Sequence, residues 1–282
     1  MQQPAKWRET VDLTSLCLEP FRVKEILGYP HAGNDVFYVS GWDGERPCRA
    51  FVKVERQKGA DVLNEAATLR RLSMPYLPRV LAVGEQTPRF LVTEEMPGER
   101  LSVIVGDNAE GQSGRYMAAY GAMLAGIHGL SVPCEPVRER RFFQFPEPTD
   151  PALMALRTWA ERRRPEEDPH CFVHGDCHYA NVLWQDGRVS AVLDWELSGW
   201  GSQAFDMAWA VVTRPGQRFL TTMGELEQFL RGYEQIRPYP RLAFACAYIK
   251  IACWFYKMGD DKDKAALLRM MTDVAAWADK CI

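Results

Sequence analysis

Phe172-Val-His-Gly-Asp-Cys-His-Tyr-Ala-Asn-Val-Leu-Trp184, followed shortly by Val192-Leu-Asp-Trp-Glu196, is the stretch on which the reading of this chain turns. Asn181–Trp184 and Val189–Leu193 are short apolar runs on either side of Gln185-Asp186-Gly187-Arg188. An Asp-Gly pair between two such runs is a strong local signal for a tight β-hairpin. With the turn centred on Asp186-Gly187, Asn181 falls opposite Val192, so the Asn181 amide and the Asp194 carboxylate meet at the open end of the hairpin. Asp176, on the loop that enters the hairpin, reaches the same place.

Two carboxylates and an amide are hard oxygen donors, the set that suits Mg2+, a cation that keeps several waters and binds substrate phosphates. Within and just before that stretch lie His170, Cys171, His174, Cys177 and His178, whose nitrogen and sulfur donors pose a zinc site as an alternative. No CxxC pair or second ligand cluster accompanies them, and donors crowded onto one tight loop rarely complete a tetrahedron. The oxygen site is the preferred reading.

Working outward, the first hundred residues read mostly as strands. Phe21–Leu27, Asp35–Gly41 and Cys48–Glu55 are β-rich runs, and Arg79–Gly84 and Arg89–Glu94 are two more. Between them Ala60–Leu72 changes to helical period, with Val62, Ala66, Leu69 and Leu72 in one apolar stripe. Glu65 lies on that stripe, where a charge is costly unless paired, and Lys53 on the preceding strand is its natural partner. Beyond Met96-Pro97-Gly98 the pattern becomes helical, with helices expected over Ser113–Leu130, Leu220–Gln235, Arg241–Lys257 and Lys264–Lys280. Pro133–Pro169 is rich in Pro, Arg and Glu and takes no assignment. The expected fold is α+β in two lobes, residues 1–96 with a five-stranded antiparallel sheet and one helix, and residues 97–282 mainly helical.

His174-Gly-Asp-x-x-x-x-Asn181 with Asp194-Trp-Glu196 resembles the signature of the aminoglycoside phosphotransferase and choline kinase superfamily, itself similar to the catalytic motifs of protein kinases. The resemblance implies a kinase that uses ATP and Mg2+. It makes Asp176 the catalytic base for an acceptor hydroxyl and Asn181 and Asp194 the magnesium ligands. His174 and Asp206 then brace the catalytic loop, and His178 falls where the family often has His. Phe51-Val-Lys-Val-Glu55 resembles the strand that offers its Lys, here Lys53, to the nucleotide phosphates, with Glu65 as its partner. Leu91-Val-Thr-Glu-Glu-Met-Pro-Gly98 resembles the hinge, with Thr93 at the back of the adenine pocket and main-chain groups near Glu94 and Met96 facing the base. The loop Gly28–Asn34 lacks a full GxGxxG, as antibiotic kinases of this superfamily often do. It leaves Gly33 and Asn34 to cover phosphates through main-chain N–H groups. A nucleotide-binding scaffold without catalysis is the other alternative, against which intact Lys53, Asp176, Asn181 and Asp194 speak.

Composition narrows the partners. The chain has 282 residues and a formal net charge of -3, against the basic footprint of a nucleic-acid binder. No apolar run is long enough to span a membrane, and Met1–Thr10 reads as no signal peptide. The eight cysteines follow no disulfide framework, which with the rest points to a cytoplasmic protein. The acceptor is expected to be a small hydroxylated, cationic molecule rather than a protein, with aminoglycosides, choline-like amino alcohols and sugars as the candidate classes. Trp195, Trp200, Trp254 and Tyr256 are candidate pocket walls, although helical aromatics are more often core. Glu196, Glu225 and Glu227 are candidate receivers of a cationic substrate, with a solvated face as the plainer reading. His128 reads as packing or capping.

Overall fold

The computed structural model describes residues 8–31, 33–56, 58–106, 112–147, 150–163, 165 and 168–280. Residues 1–7, Ala32 of the Gly28–Asn34 loop, part of the Pro133–Pro169 segment and Cys281, on which parts of the sequence reading fall, lie outside them. The chain forms two compact units, Met1–Gly98 with Ser190–Ser198, and Glu99–Val189 with Gly199–Ile282.

In the first unit, β1 (Phe21–Gly28), β2 (Asp35–Asp43), β3 (Arg46–Val54), β4 (Val80–Gly84) and β5 (Phe90–Glu94) form one sheet in the order β1-β2-β3-β5-β4. Every neighbouring pair is antiparallel. Side chains alternate across a strand, so Ala50, Val52 and Val54 of β3 enter the core with Phe37, Val39, Leu81 and Val92. Lys53 therefore points to the other face, in register with Val36 and Leu91. The helix α1 (Val62–Arg71) starts at Asp61, whose carboxylate accepts the Asn64 N–H at 3.0 Å, an N-cap of the usual kind. Its buried stripe is Val62, Glu65, Ala66, Thr68 and Leu69. The stripe closes on Ser190–Ser198: Asn64 Nδ2 donates to the carbonyls of Glu196 and Ser198, each at 3.0 Å, and the Thr68 and Ser198 hydroxyls lie 2.8 Å apart.

The second unit holds β6 (Glu99–Arg100), α2 (Leu101–Val105), α3 (Gly114–His128), α4 (Pro151–Arg162), β7 (His170–Val173) and β8 (Val182–Gln185). After β9 (Arg188–Val192), which runs on into the first unit, come β10 (Gly199–Ser202), α5 (Gln203–Val211), α6 (Met223–Glu234), α7 (Arg241–Met258) and α8 (Asp261–Asp279). Asp186 and Gly187 between β8 and β9 have φ of 51° and 74°, the paired positive values of the mirror-image hairpin turn. α3 and α6 touch backbone to backbone: a Cβ on Gly121 would stand 2.0 Å from the Phe229 carbonyl oxygen, and one on Gly232 2.0 Å from that of Ala118. From α3, Tyr120 and His128, eight residues apart on one face, reach the Cys177 carbonyl and the Asp206 carboxylate.

The α+β expectation is borne out, with the five-stranded sheet ahead of a mainly helical remainder. Three expectations need correction. The Pro133–Pro169 segment contains α4, opened by an Asp150 cap and Pro151 in the first turn, where proline is favoured. The helix expected from Leu220 begins at Met223, because Thr222 and Glu225 form a capping box that takes Leu220–Thr222 out of the helix. The last helix begins at Asp261 rather than Lys264, since Asp260 caps it through the Asp263 N–H.

Candidate active site

The first unit carries one lysine amid three carboxylates. Lys53 Nζ lies 2.8 Å from Glu65 Oε2, 2.6 Å from Asp194 Oδ1 and 2.9 Å from Glu196 Oε2. Burial works against its ammonium, but the charges of Glu65, Asp194 and Glu196 outweigh it and hold the Lys53 pKa well above its ordinary value. Burial raises the Glu65 carboxyl, against the pull of Lys53 and with the push of Asp194 and Glu196. One ammonium thus leaves the group short of positive charge by two. Its three carboxylate oxygens lie within 4.8 Å of one another, and this is the single such group among the described residues. An excess of negative charge made of hard oxygens fits a divalent Mg2+. Asp194 is the most exposed of the three, its side chain 42% accessible, and it sits at φ 63° and ψ 65°. A non-glycine residue held in the left-handed region is a mark of functional sites.

Glu196 was expected as a possible receiver of cationic substrate; it is instead a buried partner of Lys53. It also accepts the Asp61 N–H at 3.0 Å and the Asn34 Nδ2–H at 3.1 Å. Asn34 Oδ1 accepts the Arg56 N–H at 3.2 Å. The Asn34 side chain is thus committed inside the unit, and the Gly33 and Asn34 carbonyls both accept from Arg8. Thr93 stands opposite Phe51 on β3. The Glu94 N–H is donated to the Arg79 carbonyl at 2.9 Å, and its carboxylate pairs with Arg46 at 2.7 Å and Arg79 at 3.0 Å. No hydrogen bond among the described residues uses the Met96 N–H.

In the second unit, Asp206 anchors the loop after β7. Its carboxylate accepts the N–H of His174 at 3.2 Å, the N–H of Gly175 at 2.9 Å and His128 Nε2 at 3.0 Å. His128 Nδ1 lies 2.6 Å from the Tyr233 hydroxyl, which accepts Gln203 Nε2–H at 3.0 Å. The carboxylate only accepts, so Nε2 carries a hydrogen toward Asp206. Burial pushes the Asp206 carboxyl up, but the His128 bond, the charges of His128 and His174 and the Gly175 N–H together hold it below its ordinary value. The Tyr120 hydroxyl donates to the Cys177 carbonyl at 3.0 Å, fastening the loop further along.

Asp176 stands on the loop so held. Its Oδ1 accepts the Trp209 Nε1–H at 2.6 Å, its N–H donates to His174 Nδ1 at 3.2 Å, and its carbonyl accepts Asn181 Nδ2–H at 3.0 Å. Its Oδ2 faces Asn181 Nδ2 at 3.5 Å and His178 Nε2 at 3.8 Å. The Asn181 amide donates inward through its nitrogen, which presents its oxygen, the atom able to ligate a cation, elsewhere. The sequence reading missed Trp209; it lies three residues beyond Asp206 on α5, so both share a helix face, and that spacing was the available signal. It also missed that His128 does more than pack.

Other expectations fall away. Burial pushes the Cys171 thiol up to about 12 and Cys177 well above its ordinary value, far from thiolate, and the 170–178 donors form no group of three ligand atoms among the described residues. Trp195 is fully buried, its indole N–H on the Val192 carbonyl, and is core rather than pocket wall. Glu225 is buried, accepting from Ser113, Leu220, Thr221 and Thr222. Trp254 donates to the Gln144 carbonyl, and Tyr256 to Asp150.

A strand lysine amid carboxylates and a braced His-Gly-Asp loop on a kinase-like fold define a phosphotransferase. The chain belongs to the phosphotransferase enzyme family, whose model matches residues 25–244. Its fold is similar to that of macrolide 2'-phosphotransferase from Brachybacterium faecium, at TM-score 0.54 and 18% identity over 90% of this chain and 93% of that one. It is likewise similar to the streptomycin-ATP-APH(2")-IIa ternary complex, at TM-score 0.56 and 16% identity over 88% and 89% of the two chains. Among curated proteins, 127 residues are 33% identical to Hygromycin-B 4-O-kinase of Escherichia coli, spanning 45% of this chain and 33% of that protein. A stretch of 61 residues is 44% identical to Acyl-CoA dehydrogenase family member 11 of Rattus norvegicus, 21% of this chain and 8% of that protein. The chain therefore matches a third or less of the length of these curated relatives.

Proposed function

We propose that this chain is an ATP- and Mg2+-dependent kinase that transfers the γ-phosphoryl group to a hydroxyl of a small molecule. The observation that carries the reading is Asp176, a carboxylate fixed at Oδ1 by Trp209 on a loop that Asp206 grips through two main-chain N–H groups. Phosphoryl transfer needs little covalent help from a protein, so positioning and charge dominate. Asp176 orients the acceptor hydroxyl and takes its proton. Lys53, kept in place by Glu65, directs its charge to the nucleotide phosphates. Asn181 and Asp194 would hold magnesium, and its charge would neutralise the phosphate oxygens.

The Met96 N–H and main chain near Glu94 are assigned to the adenine, with Thr93 behind it, and main chain at Gly33 and Asn34 to the phosphates. Residues 1–96 are the nucleotide-binding part and 97–282 the catalytic and acceptor-binding part. The family, the Hygromycin-B 4-O-kinase relative and neighbours solved with ATP or ADP support this reading. No helix among the described residues is long and apolar enough to cross a membrane.

Thermal unfolding tests the binding step. A ligand that binds only the folded state stabilises it by mass action, so Mg-ATP should raise the melting temperature of the wild type and of Asp176→Asn, and raise that of Asp194→Asn far less. An unchanged melting temperature in the wild type would sink the proposal.

A further inference from the structure

The second unit contains a cavity of about 860 Å³, the size that takes a drug-sized ligand. It reaches Gly175, the neighbour of Asp176, and is walled by Phe143, Trp200 and Phe205. Two cations also line it, Arg140 and Lys250. The Arg140 guanidinium lies 4.7 Å from the Trp209 ring centre and 5.4 Å from those of Phe143 and Phe205. Neither cation forms a salt bridge or hydrogen bond among the described residues.

The acidic groups of the cavity are differently placed. Asp206 is saturated by His128 and the loop, Asp168 accepts the Ser202 hydroxyl at 2.7 Å, and Glu139 is exposed and faces Gln144 at 3.4 Å. Burial lowers the pKa of both Arg140 and Lys250, more than the attraction of Asp176 and Asp206 or of Asp168 restores. The donors that lack acceptors here are cationic, and a ligand completes them by bringing an oxyanion.

We infer that the acceptor is a hydroxylated small molecule bearing a carboxylate or phosphate, which Arg140 and Lys250 bind while the aromatic walls cover its body. This deepens the kinase reading and rests on it. Trp209 links the two halves of the site, since the ring beneath Arg140 is the one that holds Asp176. In the transfer, the acceptor oxygen bonds to the γ-phosphorus as the bond to the β–γ bridging oxygen breaks, ADP leaves, and the hydroxyl proton passes to Asp176. A polycationic acceptor would meet two like charges.

ADP release from Mg-ATP tests this with matched acceptors: glucose, glucosamine, glucuronate and glucose 6-phosphate in one series, 3-phenyllactate and its amide in another. The expected result is turnover of at least one anionic member at ten times or more the kcat/KM of its neutral or cationic partner. The carboxylate and phosphate arms tell the two oxyanions apart. Lys250→Met and Arg140→Met should each raise KM for that acceptor about 10- to 100-fold, the loss of one charged hydrogen bond, and Arg140→Lys should restore part of it. Preference for glucosamine or glucose, silence of every anionic member, or an unchanged KM in both Lys250→Met and Arg140→Met overturns the inference and leaves the kinase standing. Failure of Mg-ATP to stabilise the wild-type protein overturns both.

Discussion

Trp209→Phe isolates one bond. The substitution removes the indole N–H that reaches Asp176 Oδ1 at 2.6 Å and keeps an aromatic ring against Phe142, whose centre lies 4.9 Å away, and Phe205. A hydrogen bond to an ionised group is worth about 1.5–3 kcal/mol. If that energy serves only to orient the carboxylate, its loss appears in turnover, where each 1.36 kcal/mol is about tenfold. The expected outcome is a kcat lower by about 10- to 100-fold, with the dissociation constant of Mg-ATP unchanged. Steady-state kinetics and nucleotide titration separate the two. A double-mutant cycle sharpens the test, because in an Asp176→Asn background the same change should cost less than about twofold. A kcat within about twofold of wild type, or an equal loss in both backgrounds, would refute the reasoning.

Three further outcomes follow from the same contacts. Lys53→Met leaves Glu65, Asp194 and Glu196 without their shared cation; breaking a buried pair costs about 3–5 kcal/mol, so calorimetry should show a lower melting temperature, recovered in part by added Mg2+. Asp206 has a carboxyl held below its ordinary value, so its contribution to stability is present above about pH 4 and is lost as pH falls through the lowered folded value. The gap in melting temperature between wild type and Asp206→Asn should accordingly be widest near neutrality and shrink below about pH 4. Gly232→Val forces a side chain into the Ala118 carbonyl, and denaturant unfolding should show a loss of about 1–3 kcal/mol or more.

Much of this was legible in the sequence because local signals agreed. The Asp186-Gly187 turn specified its own conformation, the α1 stripe carried Glu65 inward, and the strand period turned Lys53 away from Val52 and Val54. What stayed hidden depended on residues far apart in the chain. Glu196 joins Lys53 only because α1 grips the 194–198 segment through Asn64 and Thr68. His128 meets Tyr233 where two glycines let α3 and α6 close up, and on its other side it meets Asp206 of α5. The helix α4 was obscured by the Arg-rich composition around it, although Asp150-Pro151 and the buried Leu153, Leu156 and Ala160 marked it. Trp209 looked like core, and only the loop beside it shows that its N–H has a chemical partner.

The central claim is transfer of a phosphoryl group to a small-molecule hydroxyl by Asp176. Phosphorus NMR of the full chain with Mg-ATP and a mixed panel of sugar, amino-alcohol and hydroxy-acid acceptors tests it most directly. The account predicts a phosphate monoester resonance that grows as the ATP γ-signal falls, needs Mg2+ and drops by about 10²–10⁴-fold in rate in Asp176→Asn. Growth of that resonance at the wild-type rate in Asp176→Asn, or bound Mg-ATP with no monoester formed from any acceptor, would contradict it.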